Sequence, residues 1–419
     1  MSSNFRFLHA ADLHLDSPLQ GLTSLEQAPE AIRDATRHAL DRLIELAREE
    51  KVAFVLLAGD IYDGSWRDYS TGLFFIDRMA RLGRENIRVV MISGNHDADS
   101  QITHALRLPD NVHRLETRAP QTLLFDELAV AIHGQGYRQR AERDNLVRDY
   151  PPARSGYCNI GLLHTALSGR SGHEPYAPCT LDDLRSRGYD YWALGHVHQR
   201  EVVLEDDPWV VFPGNLQGRH IRECGPKGAT LVTVRDGSIR QVEHRSLDVL
   251  RWRRLEVQCE GCLDGEDMLQ RAREGLQQAA DEAEQRLLAL RLTLSGATAA
   301  HFQLIARPQH WQAELEALAL TIGDLWLEHV DFHTRPPGDF PQAFGSTTPQ
   351  AALIAAVTTL DCSPEGLRAL LPELDTLQSR LGRELHDELG DLLPVDEHAM
   401  ANLRDDIRDL LVARLLERV

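Results

Sequence analysis

Five times between residues 9 and 198, an apolar run of strand length stops on carboxylate, imidazole or amide side chains. The segments are HAADLHLD (residues 9–16), LLAGDIYD (56–63), ISGNHD (92–97), GLLHT (161–165) and LGHVH (194–198). Polar residues that leave neighbouring strands at the same end of a sheet collect on one rim. A rim of Asp, Asn and His without thiolate is a donor set for manganese, iron or zinc rather than for a soft metal. Asp12 and His14, two residues apart where the first run ends, can converge on one ion. Asp60 and Asn95 each follow a glycine, whose missing side chain permits a tight turn and close backbone approach. His164, His196 and His198 add imidazoles from two further strand ends.

Any one of these pieces is ordinary. An Asp-x-His or Gly-Asp usually marks a turn, and a lone histidine at a strand end is usually a hydrogen-bonded structural residue. Five in this order are not ordinary. They point to two cations held close together, a centre suited to hydrolysing phosphate esters.

Apolar runs at residues 5–9, 52–57, 87–92, 128–132, 160–163 and 191–194 alternate with amphipathic stretches, notably 31–50 and 71–82. Strand–helix alternation implies an α/β sandwich. Runs at 209–212, 229–234 and 239–244 read as hairpin strands completing a second sheet. From residue 248 the pattern becomes strand, helix, strand, helix, strand, over 254–259, 264–285, 287–294, 299–320 and 325–332. The expected organisation is a catalytic domain over 1–247 and a small α/β cap domain, a candidate DNA-facing element, over 248–335. A Pro/Gly-rich linker over 336–348 and a helical C-terminal region over 349–419 follow. In that last region Met400, Leu403, Ile407, Leu410, Leu411 and Leu415 make one apolar stripe.

The formal charge of −19 argues against a generally sticky nucleic-acid binder. Bound ions and local arginines can still supply positive charge where it is needed. No apolar stretch reaches bilayer length and the first eight residues lack a signal-peptide pattern, so the expectation is a cytoplasmic protein without a membrane span. The six cysteines are scattered and suggest no disulfide framework; Cys259 and Cys262 lack two further nearby ligands for zinc.

The set D-x-H, G-D-x-x-D, G-N-H-D, H, G-H-x-H resembles the calcineurin-like metallophosphoesterases. Within them, HAADLHLDSPLQGL (residues 9–22) and GNLQGRHIRECGPKG (214–228) resemble the SbcD-type DNA repair exonucleases, particularly the YhaO-like branch. The resemblance covers residues 5–247 and implies a metallophosphoesterase two-sheet β-sandwich flanked by helices. It implies two divalent ions, manganese first among them. One would be bound by Asp12, His14, Asp60 and His198, the other by Asp60, Asn95, His164 and His196. His96 would stand outside the ligand set, contact the scissile phosphate and help protonate the leaving oxygen. Asp97 would either orient that imidazole or cap the following helix, and Asp16 and Asp63 would support the ligands. The implied partners are DNA and an SbcC-type (YhaN-like) SMC ATPase held by the C-terminal helices. Homodimerisation is compatible with the resemblance.

Substrate contacts must come from elsewhere. Arg219, His220, Arg222 and Lys227 follow GHVH by a single hairpin and are candidates for phosphate contacts; a surface turn at Gly225-Pro226 is the plainer reading. Arg138, Arg140, Arg143, Arg148 and Arg154 crowd one stretch beside Tyr137 and Tyr150. That stretch either grips a phosphate backbone or is a solvated helix balanced by Glu142, Asp144 and Asp149. Residues 361–419 hold 14 acidic and 7 basic residues, so they suit a protein partner better than DNA. Three functions remain open: a manganese-dependent DNA exonuclease of repair, a nucleotide or small-molecule metallophosphodiesterase, and a non-catalytic interaction module on the same fold. The complete ligand set weighs against the third, and the added domains and arginines favour the first.

Overall fold

The computed structural model describes residues 4–17, 34–63, 69–99, 107–168, 176–338, 352 and 397–416. Nearly all of the expected linker, and the expected helical region up to residue 396 apart from residue 352, lie outside the described residues. The chain divides into two compact units, residues 1–253 with 285–289, and residues 254–284 with 290–419.

Among the described residues the first unit has twelve strands: β1 (Phe5–Ala10), β2 (Phe54–Ala58), β3 (Arg88–Ile92), β4 (Val112–Arg114), β5 (Gln121–Phe125), β6 (Val130–Gly134), β7 (Cys158–His164), β8 (Tyr191–Gly195), β9 (Glu201–Leu204), β10 (Trp209–Phe212), β11 (Gly228–Arg235) and β12 (Ser238–Ser246). Between them lie α1 (Ala35–Glu49), α2 (Tyr69–Arg84), the short α3 (Asn95–Asp99) and α4 (Leu181–Arg185). One sheet has the order β12-β11-β1-β2-β3-β4 and the other β5-β6-β7-β8-β10-β9. β1 to β4 are mutually parallel, as are β6, β7, β8 and β10. Two six-stranded sheets flanked by helices agree with the expected sandwich.

The period-2 alternation of the strands explains the layering. Phe7, Phe54, Leu56, Val90 and Ile92 of the first sheet meet Val130, Ile132, Ile160, Leu162 and Tyr191 of the second in one buried cluster. The intervening residues Leu8, Ala10, Val55, Leu57 and Val89 pack on Ala39, Leu43 and Ile44 of α1 and Phe75 and Met79 of α2. Strands buried on both faces read as continuous apolar runs, which is why they stand out in the sequence. The late runs are distributed differently from expectation. Only β10 joins the second sheet, while in the first β11 adds antiparallel to β1 and β12 antiparallel to β11. A two-residue turn at Asp236-Gly237 closes the hairpin but carries no information about which sheet edge receives it.

In the second part of the chain β13 (Leu250–Gln258), β14 (Leu287–Ala297) and β15 (Leu325–Arg335) form a three-stranded sheet in that order. Its helices are α5 (Gly265–Asp281), α6 (His301–Ala306), α7 (Pro308–Ile322) and α8 (Glu397–Leu416). The helix expected over 299–320 is two helices, because Pro308 forces Arg307 out of helical geometry (φ −134°, ψ 57°). On α8 the packed residues are Val412 and Ala413, with Leu415 partly buried, against Phe302 and Ala306 of α6. Leu410 and Leu411, members of the expected stripe, are 45% and 42% exposed. No helix among the described residues is long and apolar enough to cross a membrane.

Candidate metal centre

The parallel strands β1, β2, β7 and β8 end at the same rim, and the loops that leave them interlock. Asp12 N–H donates to Gly59 O, His14 N–H to Asp60 O and Leu15 N–H to Ile61 O, each at 2.9–3.0 Å. Four of the expected ligands hold left-handed backbone angles: Asp12 (φ 51°), His14 (42°), Asp60 (52°) and His196 (97°). Such angles cost non-glycine residues about 1–3 kcal/mol each and persist where surrounding structure over-determines them. The glycines explain the close fit. A Cβ on Gly94 would lie 2.3 Å from Asp60 Oδ1, and one on Gly59 (φ 92°) would lie 2.6 Å from His164 Nδ1.

The expected ligands fall into compact groups of donors. Asp12, His14 and His198 place one ligand atom each within 4.8 Å of one another, and so do Asp60, His164 and His196. Asp60 joins the groups through one oxygen: its Oδ2 is 3.8 Å from His14 Nε2 and 3.4 Å from His164 Nε2. Its Oδ1 accepts the His96 N–H at 2.9 Å. Asn95 Oδ1 lies 3.0 Å from His164 Nε2.

The protonation of these groups tests whether a cation fits. His164 Nδ1–H donates to Ala58 O at 2.8 Å, which leaves Nε2 facing Asn95 and Asp60. Burial disfavours an imidazolium there, yet Asp60 and Asp12 overcome it and raise the His164 pKa to about 9. Burial likewise opposes the Asp60 carboxylate, but His164, His14 and His96 hold its pKa below the ordinary range. A proton therefore sits where a metal ion would replace it. At the other group, His198 Nδ1–H donates to Glu223 Oε1 at 2.6 Å, which leaves its Nε2 facing His14 Nε2 at 3.2 Å. Burial, and then Arg219, lower the His14 pKa to about 3, so that imidazole is neutral. These two ring nitrogens and the Asp12 carboxylate lie close enough together to hold one cation. The residues present fit two divalent ions.

His96 faces the centre from its rim, with its ring 4.9 Å from that of His14 and its side chain 30% exposed. Its Nδ1 lies 2.8 Å from Asp63 Oδ1. Burial lowers its pKa, but the Asp63 hydrogen bond and the Asp60 charge outweigh that and raise it. The expectation that Asp97 orients this imidazole is corrected here. Asp97 is buried, and its oxygens accept the backbone N–H groups of Ile61, Tyr62 and Gly94, tying the second ligand loop to the third. Burial and the nearby Asp60 raise its pKa to about 7 against those three bonds. Asp16 is paired with Arg37 and Thr71.

A cleft of about 450 Å³ opens over the ligands, walled by Arg219, His220, Arg222, Glu223 and Lys227. Arg222 is exposed and His220 half-buried. Arg219 is different: its guanidinium donates to Glu223 Oε1 at 3.2 Å and lies 3.8 Å from Asp63 Oδ2. It thus ties together the two carboxylates that hold His198 and His96. Lys227 needs the larger correction. It is 3% exposed and its ammonium donates to His198 O at 2.8 Å, so it braces a ligand loop from within. Sequence reasoning missed Glu223, which Asn215 Nδ2 and Arg219 N–H also hold. Nothing in its local sequence marks it. The 138–154 stretch contains a 3-10 turn (Leu146–Asp149) rather than the helix expected as its plain reading. Tyr137 and Tyr150 are buried, donating to the carbonyls of His164 and Leu162, and are not available to a nucleic acid.

The calcineurin-like phosphoesterase family matches residues 5–200, and the middle domain of the metallophosphoesterase YhaO matches residues 252–335. The chain is 40% identical over 261 residues to the metallophosphoesterase YhaO of Bacillus subtilis, covering 61% of this chain and 64% of that one. It is 26% identical over 249 residues to the DNA double-strand break repair protein Mre11 of Methanopyrus kandleri, covering 55% of this chain and 51% of that one. The chain therefore spans less than two thirds of the length of these curated relatives. A dimetal phosphatase from Danio rerio aligns at 13% identity and a TM-score of 0.34, over 58% of this chain and 100% of that one.

Proposed function

Residues 5–200 are a calcineurin-like phosphoesterase domain and residues 252–335 a YhaO-type middle domain, and from that premise we propose that the protein is a manganese-dependent DNA exonuclease acting in repair. The observation that carries the reading is the pair of donor groups sharing Asp60 Oδ2 beneath a cleft lined by Arg219, His220 and Arg222. Bound there, two divalent ions supply Lewis acidity toward phosphoryl oxygens and a water acidic enough to serve as nucleophile at neutral pH. The protein's own groups do the rest. His96, kept protonated by Asp63, gives a proton to the departing oxygen. Arg222 and His220 hold the flanking phosphate charge, and Arg219 keeps both histidine partners in place. The weaker relationship to Mre11 supports a polynucleotide over a small phosphodiester.

In the same reading an SMC-type ATPase works with the nuclease through the C-terminal helices. Leu410 and Leu411 on α8 are the exposed apolar positions that would serve it. The test is degradation of linear duplex DNA with Mn²⁺, alone and with such an ATPase. Wild type should degrade it, and Asp60→Asn and His96→Ala should not. Turnover of bis(p-nitrophenyl) phosphate or a cyclic nucleotide, with every form of DNA left intact, would instead establish the small-molecule phosphodiesterase.

A further inference from the structure

Beside the metal cleft lies a second polar cluster that the chemistry above does not use. Thr230 on β11 and His244 on β12 are directly paired across the antiparallel ladder, so their side chains share one face of the sheet. Thr230 lies in register with His9 of β1, whose imidazole reaches Tyr191 Oη and Leu194 O of the second sheet. That face is therefore the one turned toward the second sheet. Arg200, immediately before β9, acts electrostatically on His244.

Four polar atoms in this cluster are buried: Arg200 Nε, His244 Nδ1, His244 Nε2 and Thr230 Oγ1. None has a hydrogen-bond partner among the described residues. Thr230 is fully buried, while Arg200 and His244 are partly open. Buried polar groups are paired in the great majority of structures, and leaving one unpaired costs about 1–3 kcal/mol. Three residues that each leave a donor unpaired, in one place, call for an acceptor.

The local charge says which acceptor. Arg200, Arg251 and Lys227 all face His244, and burial together with Arg200 lowers its pKa to about 4. The facing carboxylate, Asp248, is already engaged by Arg251 and Arg286. Arg251 is paired with Asp248 and Lys227 with His198 O, so Arg200 is the cation left with an unpaired buried donor, and an anion is the acceptor that answers it.

We propose that Arg200, His244 and Thr230 form a second phosphate-binding site, next to the metal cleft, that takes a phosphate of the substrate strand beyond the scissile one. Arg200 lies two residues from His198, and Lys227 lies between the two places, lining the cleft while acting on His244. The assignment of the occupant to a strand rests on the nuclease reading; the anion site itself does not.

The experiment uses the full chain in EDTA, so that metal-borne phosphate binding is absent. The His244 ring resonances, identified by their loss in His244→Gln, are followed as inorganic phosphate and then a short single-stranded oligonucleotide are added. Both ligands should move them. Arg200→Gln should weaken phosphate binding about tenfold or more, the scale of a charged hydrogen bond. Thr230→Val, which keeps the strand's shape, should weaken it by a smaller factor. If saturating phosphate leaves the His244 signals in place, or if a folded Arg200→Gln binds phosphate as tightly as wild type, the site is overturned. Movement by phosphate alone, with none by the oligonucleotide, retains the anion site and overturns its assignment to the strand. Cleavage of DNA with Mn²⁺ is scored separately: DNA left intact while His244 responds overturns the nuclease reading and not the anion site.

Discussion

His96 Nδ1 lies 2.8 Å from Asp63 Oδ1, so the imidazole at the rim of the metal centre is held by a carboxylate from the end of the second motif, not by its own neighbour Asp97. The distinction is physical. A residue adjacent in sequence on a short helix points about 100° away around the axis, whereas a residue on the next loop can face it.

That pairing yields a pH prediction. Asp63 raises the His96 pKa, so His96 as the acid stays protonated further into alkaline pH than a free imidazole. Activity falls as pH rises through that pKa. In Asp63→Asn the alkaline limb of kcat should move to lower pH, and kcat on DNA should drop by about 10–100-fold, part of the 10²–10⁴ carried by general acid catalysis. Bis(p-nitrophenyl) phosphate, whose leaving group needs no proton, should be affected far less. An alkaline limb in Asp63→Asn superimposable on wild type would refute the pairing's part in catalysis.

Glu223 holds His198 from behind at 2.6 Å, fixing the tautomer that presents Nε2 to the cation. Removing such a partner weakens metal affinity by about 10–100-fold. Glu223→Gln should show that loss for Mn²⁺ by calorimetry, concentrated in one of two binding events. Asp60→Asn, by contrast, should weaken both, because Asp60 Oδ2 faces both groups.

Gly94 has no room for a methyl group, since its Cβ would lie 2.3 Å from Asp60 Oδ1. Gly94→Ala must displace Asp60 or the third loop. We expect lost metal binding together with a stability loss of about 1–3 kcal/mol, the scale of overpacking. Denaturant unfolding in EDTA separates the two effects. Unchanged Mn²⁺ affinity in a folded variant would count against the crowding argument.

His9 is buried at the start of the first motif, hydrogen-bonded to Tyr191 Oη and Leu194 O. Burial lowers its folded-state pKa from 6.5 to about 3. The unfolded chain therefore binds the proton first. His9's contribution to stability is intact above pH 6.5 and is lost as pH falls toward 3, at about 1.4 kcal/mol per pH unit. Between pH 7 and pH 5 that amounts to about 2 kcal/mol. Unfolding free energies of wild type and His9→Gln, both in EDTA, should converge by this amount over that interval. A constant difference would show that His9 is not the titrating group.

The late strands show where sequence reasoning reaches its limit for the fold. Runs at 209–212 and 229–234 were legible as strands, because buried strands need near-continuous apolar residues, and the run at 239–244, whose strand has no buried residue, through the Asp236-Gly237 turn before it. Their assignment to one sheet was not, since β11 pairs with β1 across more than 200 residues of chain and carries β12 with it. Edge pairing is chosen by long-range packing, and the local pattern is the same for either edge. The linker and the C-terminal region up to residue 396 fall almost wholly outside the described residues.

At the site the division is similar. The candidate ligands were legible in the sequence, because cation binding demands particular atoms, and Asp, Asn and His stand at the strand ends that the fold brings together. The supports were not. Glu223, the redirected Asp63 and the inward Lys227 work through contacts between loops that are distant in sequence, and a carboxylate or ammonium looks the same whether it faces solvent or a neighbour. The left-handed angles of Asp12, His14, Asp60 and His196 likewise exist only because the interlocked loops enforce them. The chain's own residues determined which chemistry the rim can hold. Tertiary structure decided how that rim is braced, since the direction of a side chain is settled by what packs around it.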